Sequence, residues 1–348
     1  MTLLIVAESR DVHANLVEHA FHAHGVQTTR LASDRLPREQ TLSHAFDDSG
    51  ERHHVNGTPA SSIRTVWLRR RGQPGNYEPG LDAVDDKISR QETHEFWKFC
   101  QFALPSHARH VNPLTAKLQA QSKIFQLRMA QHVGLKIPRT IISNDPAEVV
   151  AFAGHAGSIA FKSLSPVHWA TPNGSSRQAI HALFTAKVSH QDILDHAPSI
   201  RRAPGIFQQL IPAVREYRVT LFGMSCIAVT VQSQHDFDDL HDWRAGQHHT
   251  LRVTPARIPD ALRERLTQFM DATQLAFGAF DILETADQEF YFLEVNEAGQ
   301  FLWIEYQNPD VPVLKPFCDF LIGRSDWAGA VALSDVAAAA LPAHPVTP

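Results

Sequence analysis

Cysteine is scarce. There are three in 348 residues, Cys100, Cys226 and Cys318, far apart and with no C-x-x-C pair. That argues against a disulfide framework and a structural zinc site, and a reducing cytoplasmic setting fits best. Long apolar runs are absent as well: no stretch approaches the roughly 18 residues that span a bilayer, so no membrane partner is expected. The opening Thr2-Leu3-Leu4-Ile5-Val6-Ala7 is too short for a signal segment and has no basic stretch before it, so it reads as a buried first strand. A basic excess is also missing. Lys and Arg total 32 against 37 Asp and Glu, a net charge of -5, which argues against nucleic acid as a partner. No Ser/His/Asp or Cys/His arrangement for nucleophilic catalysis stands out. Histidine, by contrast, is abundant at 21. The group His235, His241, His248 and His249 lacks a repeated i, i+4 helical pair and is not read as a transition-metal site.

The length is that of about two domains. The first part alternates strand and helix: strand 3–7, helix 12–24 stopped by Gly25, strand 26–31, a polar hairpin or loose loop at 44–62, strand 64–68 and a helix over 82–104. This pattern predicts a small open α/β layer. Asn112-Pro113 marks a break. A single helix over 115–133, a strand at 137–142, strands at 158–164 and 178–185 and a helix at 189–197 make a compact second unit. From 206 the chain is strand-rich (206–211, 215–222, 225–232), followed by an amphipathic helix at 259–276, a hairpin of 278–284 with 289–296, and a helix at 310–323. The expected division is 1–112, 113–205, 206–325 and a tail from 326 that helps packing and carries no chemistry.

The strongest chemical signal is Phe290-Tyr291-Phe292-Leu293-Glu294-Val295-Asn296, with Asp281 on the preceding strand. Residues two apart on a strand share a face, so Glu294 and Asn296 look one way and the paired strand brings Asp281 beside them. Carboxylates in apolar surroundings are costly unless paired or bound to a cation, and an all-oxygen set suits Mg²⁺. Two solvated strand-end acids and a turn asparagine are the plainer account. On a second strand Glu216, Arg218 and Thr220 share one face, where a Glu and an Arg commonly pair across a sheet surface. Lys162 sits in the apolar strand Ile159-Ala160-Phe161-Lys162, where it either snorkels or meets an anion. Lys123 is helical, and a helical lysine is usually only solvated.

Taken in order, these residues resemble the ATP-grasp superfamily of carboxylate ligases, and within it the ribosomal-protein glutamate ligases and, more closely, the graspetide maturases that cyclise microviridin-type peptides. Trp67-Leu68-Arg69-Arg70, Asn112-Pro113 before a lysine-bearing helix, Gly134-Leu135-Lys136-Ile137-Pro138, Asp242-Trp243-Arg244 and Glu294-Val295-Asn296-Glu297-Ala298-Gly299-Gln300 carry the resemblance. It implies an α/β (α+β) ATP-grasp fold with an N-terminal pre-grasp domain, a small lid and an antiparallel-sheet C-terminal domain. It further implies that Lys123 and Lys162 contact the phosphates of ATP, that Gln209, Leu210 and Ile211 form the adenine hinge through backbone groups, and that Glu216 binds the ribose. Arg218 and Arg244 would hold the transferred phosphate and the substrate carboxylate, and Asp281, Glu294 and Asn296 would hold Mg²⁺. The stretch 163–177 departs from a glycine-rich lid, with Gly174 its one glycine, and Glu297-Ala298 alters the turn after the metal strand.

The reaction so implied activates a carboxylate as an acyl phosphate and joins it to an amine or hydroxyl, macrocyclising acidic side chains of a ribosomal precursor peptide. The implied partner is an acidic precursor peptide with a leader segment, docking near Gln191–Pro204, and a homodimer is the implied assembly. Two other readings stand beside it: an ATP-grasp ligase for a small amino acid or dipeptide, and a non-catalytic ATP-binding sensor.

Overall fold

The protein is described from a computed structural model that covers residues 2–48, 50–156, 158–164, 168–171, 179–182, 185–233, 251–323, 333–334 and 336. It opens with β1 (Thr2–Val6), α1 (Val12–Ala23), β2 (Gln27–Leu31), β3 (Leu42–Asp47), β4 (Gly50–Val55), β5 (Thr58–Pro59), β6 (Ile63–Leu68), α2 (Ala83–Phe102) and β7 (Arg109–Val111). The first sheet runs β2-β1-β6-β7, all parallel. Leu3 and Ile5 share a core with Phe21 of α1, while Leu4 and Val6 share another with Trp97 and Cys100 of α2. Burial on both faces is why β1 reads as a continuous apolar run. The polar stretch at 44–62 forms the antiparallel meander β3-β4-β5.

Two helices, α3 (Leu114–Ala120) and α4 (Lys123–His132), replace the single helix expected over 115–133. The break has a local cause. Ser122 takes an extended backbone and its hydroxyl accepts the Phe125 N–H at 3.3 Å, an N-cap that restarts the helix at Lys123. Then follow β8 (Thr140–Ser143), α5 (Pro146–Ala156), β9 (Ile159–Lys162), β10 (His168–Thr171), β11 (Ala179–Ala182), β12 (Ala186–Val188), α6 (His190–Asp195), α7 (Ala197–Arg202) and β13 (Gly205–Gln209). They give a four-stranded antiparallel sheet, β12-β9-β13-β8, and a separate β10-β11 ribbon. Val149, Ala153, Ile193 and Ile200 cover the four-stranded sheet. The strand expected at 178–185 is β11 and the helix expected at 189–197 is α6; β12 and α7, which follow them, were not expected. Pro198 cannot donate the N–H that would continue α6, and it is tolerated in the first turn of α7.

The last part comprises β14 (Ala213–Phe222), β15 (Ser225–Ser233), β16 (Leu251–Ala256), α8 (Asp260–Thr273), β17 (Phe277–Thr285), β18 (Phe290–Asn296), α9 (Trp303–Gln307) and α10 (Leu314–Ile322). The sheet order is β16-β15-β14-β17-β18, antiparallel throughout. The strand β16 and the short helix α9 were not expected from the sequence. One face of this sheet packs Tyr217, Val219, Phe280, Ile282 and Phe292 against Leu266 and Phe269 of α8. On the other side Phe222, Phe277, Phe301 and Phe317 join Leu3, Ile5, Phe21 and Trp67 in one continuous core, with Leu333 and Val336. The parallel layer and the antiparallel sheet are therefore welded together. Asn112, 1 % exposed, adds polar joints. Its Nδ2 donates to the Phe277 and Glu297 carbonyls at 2.8 Å each, and its Oδ1 accepts the Ala276 and Phe277 N–H groups at 2.7 Å. Among the described residues no helix is long and apolar enough to cross a membrane.

Candidate active site

β17 and β18 pair so that Asp281 lies opposite Glu294 and Ala279 opposite Asn296. Val295, between the two polar residues, points into the α8 core, which leaves Glu294 and Asn296 on the opposite face. Asn296 Nδ2 is 3.3 Å from both Asp281 Oδ2 and Glu294 Oε1. The other carboxylate oxygens meet cations. Arg218 Nη1 donates to Asp281 Oδ1 at 2.6 Å, and Lys123 Nζ to Glu294 Oε2 at 2.6 Å. Arg218 and Asp281 face each other across β14 and β17 and are both 4 % exposed. Solvated strand-end acids do not describe this arrangement. A Glu216–Arg218 surface bridge does not describe it either, because the carboxylate partner of Arg218 is Asp281. The second guanidinium nitrogen, Nη2, donates to the Gln300 carbonyl at 3.1 Å. Lys123, expected as a solvated helical residue or a phosphate contact, is the first residue of α4 and is paired with Glu294.

The remaining expected site residues sit on neighbouring strands. Lys162, at the end of β9, donates to Gln208 Oε1 at 3.0 Å, and Gln208 donates on to Thr140 Oγ1 at 3.0 Å. Gln209 ends β13, and Leu210 and Ile211 follow it. The Gln209 and Leu210 N–H groups are taken by the Arg139 and Ser158 carbonyls at 2.8 and 2.9 Å, and the Ile211 carbonyl accepts the Ala213 N–H at 2.8 Å. Glu216 lies on β14 two residues before Arg218, opposite Leu283. Arg244 lies outside the described residues, as do the histidines at 235–249 and most of the 163–177 stretch. In the 191–204 segment Asp192 closes a capping box with Ser189 and Asp195 accepts from Gln191, which leaves Arg201 and Arg202 exposed on α7.

Sequence reasoning missed the buried polar side chains that hold the turn at 297–302, Arg69, Lys117 and His13. Arg69, 2 % exposed at the end of β6, donates to the carbonyls of Ala298 and Gly299, the latter at 3.1 Å, and its Nε lies 3.5 Å from Asp11. Burial pushes the Arg69 guanidinium down to about 10, against the pull of Asp11. Lys117 donates to the Arg69 carbonyl at 3.0 Å and lies 3.3 Å from Glu297. Burial lowers its ammonium to about 8, and Glu297 opposes that shift. His13 Nε2 accepts the N–H groups of Phe301 and Leu302 at 3.0 and 3.2 Å. Burial, reinforced by Arg69, drives its imidazole down to about 3, so it is the neutral acceptor that two N–H donors require. The run Arg69-Arg70-Arg71 directly after an apolar strand was the available signal. His13 has none, since a histidine in an amphipathic helix looks like any other.

The geometry supports a cation site. One oxygen of Asp281 and one of Glu294 converge on the Asn296 amide, and turning that amide over presents a third oxygen in place of the nitrogen. All-oxygen donors of this kind fit Mg²⁺, which retains waters and shares substrate phosphates. Arg218 and Lys123 border the same place, as an anion-transfer site requires. Among the described residues there is no group of three or more His, Cys, Asp and Glu side chains that would hold a metal. The candidate set therefore depends on the amide and on water or substrate oxygens.

Residues 2–117 match the family described as the MvdD pre-ATP grasp domain. Among solved structures, the macrocyclase MdnC of Microcystis aeruginosa MRC, bound with its precursor peptide MdnA, is 26 % identical with a TM-score of 0.76, over 93 % of this chain and 100 % of that one. A RiPP-associated ATP-grasp ligase of Chryseobacterium gregarium, in complex with ADP and a leader and core peptide, is 24 % identical with a TM-score of 0.81, over 92 % and 96 %. The ATP-grasp ligase PsnB, complexed with a minimal precursor, Mg and ADP, is 21 % identical with a TM-score of 0.71, over 93 % and 97 %. Curated protein sequences give no match. The chain has the ATP-grasp fold and resembles the graspetide maturases.

Proposed function

We propose that this protein is an ATP- and Mg²⁺-dependent ligase that macrocyclises a precursor peptide through its acidic side chains, forming ω-ester or ω-amide links. The observation that carries the reading is the cluster of Asp281, Glu294, Asn296, Arg218 and Lys123, set in a fold shared along its length with a peptide macrocyclase. A carboxylate resists attack because its charge is delocalised. Transfer of the γ-phosphoryl group from ATP to a carboxylate oxygen gives an acyl phosphate. A hydroxyl or amine of the same peptide then displaces phosphate and loses its proton. Mg²⁺, when bound, neutralises charge on the phosphate oxygens. The chain's own residues do the rest. Asp281, Glu294 and Asn296 hold the cation, Lys123 and Lys162 draw the phosphates, and Arg218, with Arg244, orients the moving phosphoryl group and the acceptor carboxylate. Glu216 accepts from the ribose, and the backbone of Gln209, Leu210 and Ile211 lines the base.

The division into 1–112, 113–205, 206–325 and a tail belongs to this proposal, with nucleotide between the four- and five-stranded sheets. Arg201 and Arg202 on α7 are the side of the 191–204 segment offered to an acidic leader. Three free cysteines fit work in a reducing cytoplasm. The test is incubation with ATP, Mg²⁺ and a synthetic acidic peptide taken from a short reading frame adjoining the gene. Loss of one water per ring, read by mass spectrometry and coupled to ADP release, is expected. ADP release driven by free amino acids and not by the peptide would instead favour the small-molecule ligase.

A further inference from the structure

The strand that carries Glu294 and Asn296 is the outermost of its sheet, and an edge strand leaves backbone groups unpaired. Part of this edge is met by backbone, since Phe292 N donates to the Lys136 carbonyl at 2.8 Å. Among the described residues no strand pairs with β18 along this edge at Val295. There the side chain of Gln126, 2 % exposed, takes the place of a neighbouring strand. Its Oε1 accepts the Val295 N–H at 2.9 Å and its Nε2 donates to the Val295 carbonyl at 2.9 Å. The second proton of Nε2 goes to the Ala120 carbonyl at 2.6 Å. Both amide hydrogens and the oxygen are committed, so the orientation of the carboxamide is fixed by its partners.

Val295 is the residue between Glu294 and Asn296, and on its inner side it pairs with Phe280. Its N–H and carbonyl both point outward to Gln126, so its pair with Phe280 is a non-hydrogen-bonded one, and the Gln126 clamp is what fixes the backbone on which the two flanking side chains stand. The same helical turn makes a second contact. Lys123, three residues before Gln126 and on the same face of α4, pairs with the Glu294 side chain at 2.6 Å. One turn of α4 therefore holds the strand's backbone through Gln126 and its carboxylate through Lys123.

We propose that Gln126 is a positioning residue for the divalent-cation site, acting through the Val295 backbone to fix Glu294 and Asn296. This rests on the reading of Asp281, Glu294 and Asn296 as cation ligands. Outer-shell partners that orient ligands typically change metal affinity by about ten- to a hundredfold when removed. A glutamine that merely satisfies an edge would change stability and leave affinity alone.

The experiment follows Mn²⁺ binding by electron paramagnetic resonance in the presence of ADP, with thermal melting of the same samples. The proteins are the wild type, Gln126→Met, Gln126→Glu, Glu294→Gln and a control, Leu266→Ala, which opens the α8 core without touching β18's outer edge. Gln126→Met should bind Mn²⁺ at least about tenfold more weakly. Gln126→Glu, which keeps the acceptor and loses the donor, should fall in the same direction and decides the matter if the methionine variant does not fold. Leu266→Ala should melt lower and bind Mn²⁺ as the wild type does. Wild-type affinity in the Gln126 variants, with Glu294→Gln impaired, overturns the positioning role alone. A loss in Leu266→Ala as large as that in Gln126→Met also overturns it. Undiminished Mn²⁺ binding in Glu294→Gln overturns the ligand reading and this inference with it.

Discussion

Arg218 and Asp281 form a buried ion pair across β14 and β17, with Nη1 2.6 Å from Oδ1. The same guanidinium reaches the Gln300 carbonyl with Nη2, so it spans a strand and the turn that follows the candidate metal ligands. A planar fork is needed for that span. A lysine ammonium reaches one partner and leaves the other. Arg218→Lys should keep nucleotide affinity and lose most turnover, with the loss in kcat because the interaction tightens as charge builds on the phosphoryl group. Steady-state ADP release beside calorimetric nucleotide titration measures both. Turnover at the wild-type rate would remove Arg218 from the reaction.

Asp281→Asn and Glu294→Gln should both abolish Mg²⁺-dependent turnover and should differ in stability. Removing the charge of Asp281 leaves Arg218 buried without its counter-charge, a change that typically costs about 3 kcal/mol. Lys123 has more access to water, with 26 % of its side chain exposed, so Glu294→Gln should cost clearly less. Thermal melting of the two variants makes the comparison, and equal losses would contradict the assigned burial roles.

Gly299 has no room for a side chain. A Cβ there would stand 2.8 Å from Ala279 Cβ, 2.8 Å from Arg218 Nη2 and 3.1 Å from Asn296 Cβ. Gly299→Ala should lower stability by about 1–3 kcal/mol, the usual range for overpacking. It should also depress kcat more than nucleotide affinity, since the flexible neighbour that gives way is Arg218. Denaturant unfolding and ADP release together decide, and a variant with wild-type kcat would show that Arg218 can shift without consequence.

His13 gives a dependence on pH. Its imidazole titrates near 6.5 when unfolded and near 3 in the fold. Between those values the unfolded chain holds the proton and the folded chain does not. The stabilisation is therefore complete above pH 6.5 and drains away as pH falls toward 3, with a slope of at most about 1.4 kcal/mol per pH unit. His13→Gln keeps an acceptor for Phe301 and Leu302 and cannot titrate there. Urea unfolding at neutral pH and at about pH 5 should show a smaller loss for the variant than for the wild type, and parallel losses would exclude His13 as the source.

Most of the longer strands and helices were legible because period-2 and period-3.6 patterns are local, whereas the short β7, β10, β12, α7 and α9, and the strand β16, were not. So was the face shared by Glu294 and Asn296, which needs only strand alternation and one pairing. The division at Gln121-Ser122 was not read, because a serine in a helical pattern becomes a cap only when its hydroxyl turns back to the Phe125 N–H. The partners of Arg69, Asn112, Gln126 and His13 were not legible either. Each of these side chains bonds to backbone far away in sequence, and a backbone group carries no residue type to read. The mutual pairing of Arg218 with Asp281 and of Lys123 with Glu294 depends on register and helix placement, which spacing does not supply.

The joints that weld the parallel layer to the antiparallel sheet have a consequence for synthesis. His13 and Phe301 are separated by 288 residues, which a ribosome making 5–20 residues per second takes roughly fifteen to sixty seconds to span. Arg69 and Asn112 wait for shorter stretches, 230 residues to Gly299 and 165 to Phe277, and until those partners are made water satisfies all three side chains. In the nascent α/β layer Leu3 and Ile5 already have Phe21 of α1 to pack on, while the part of the same core that Phe277, Phe301 and Phe317 complete, Trp67 against Phe317 included, stays open until the chain after β18 leaves the ribosomal tunnel.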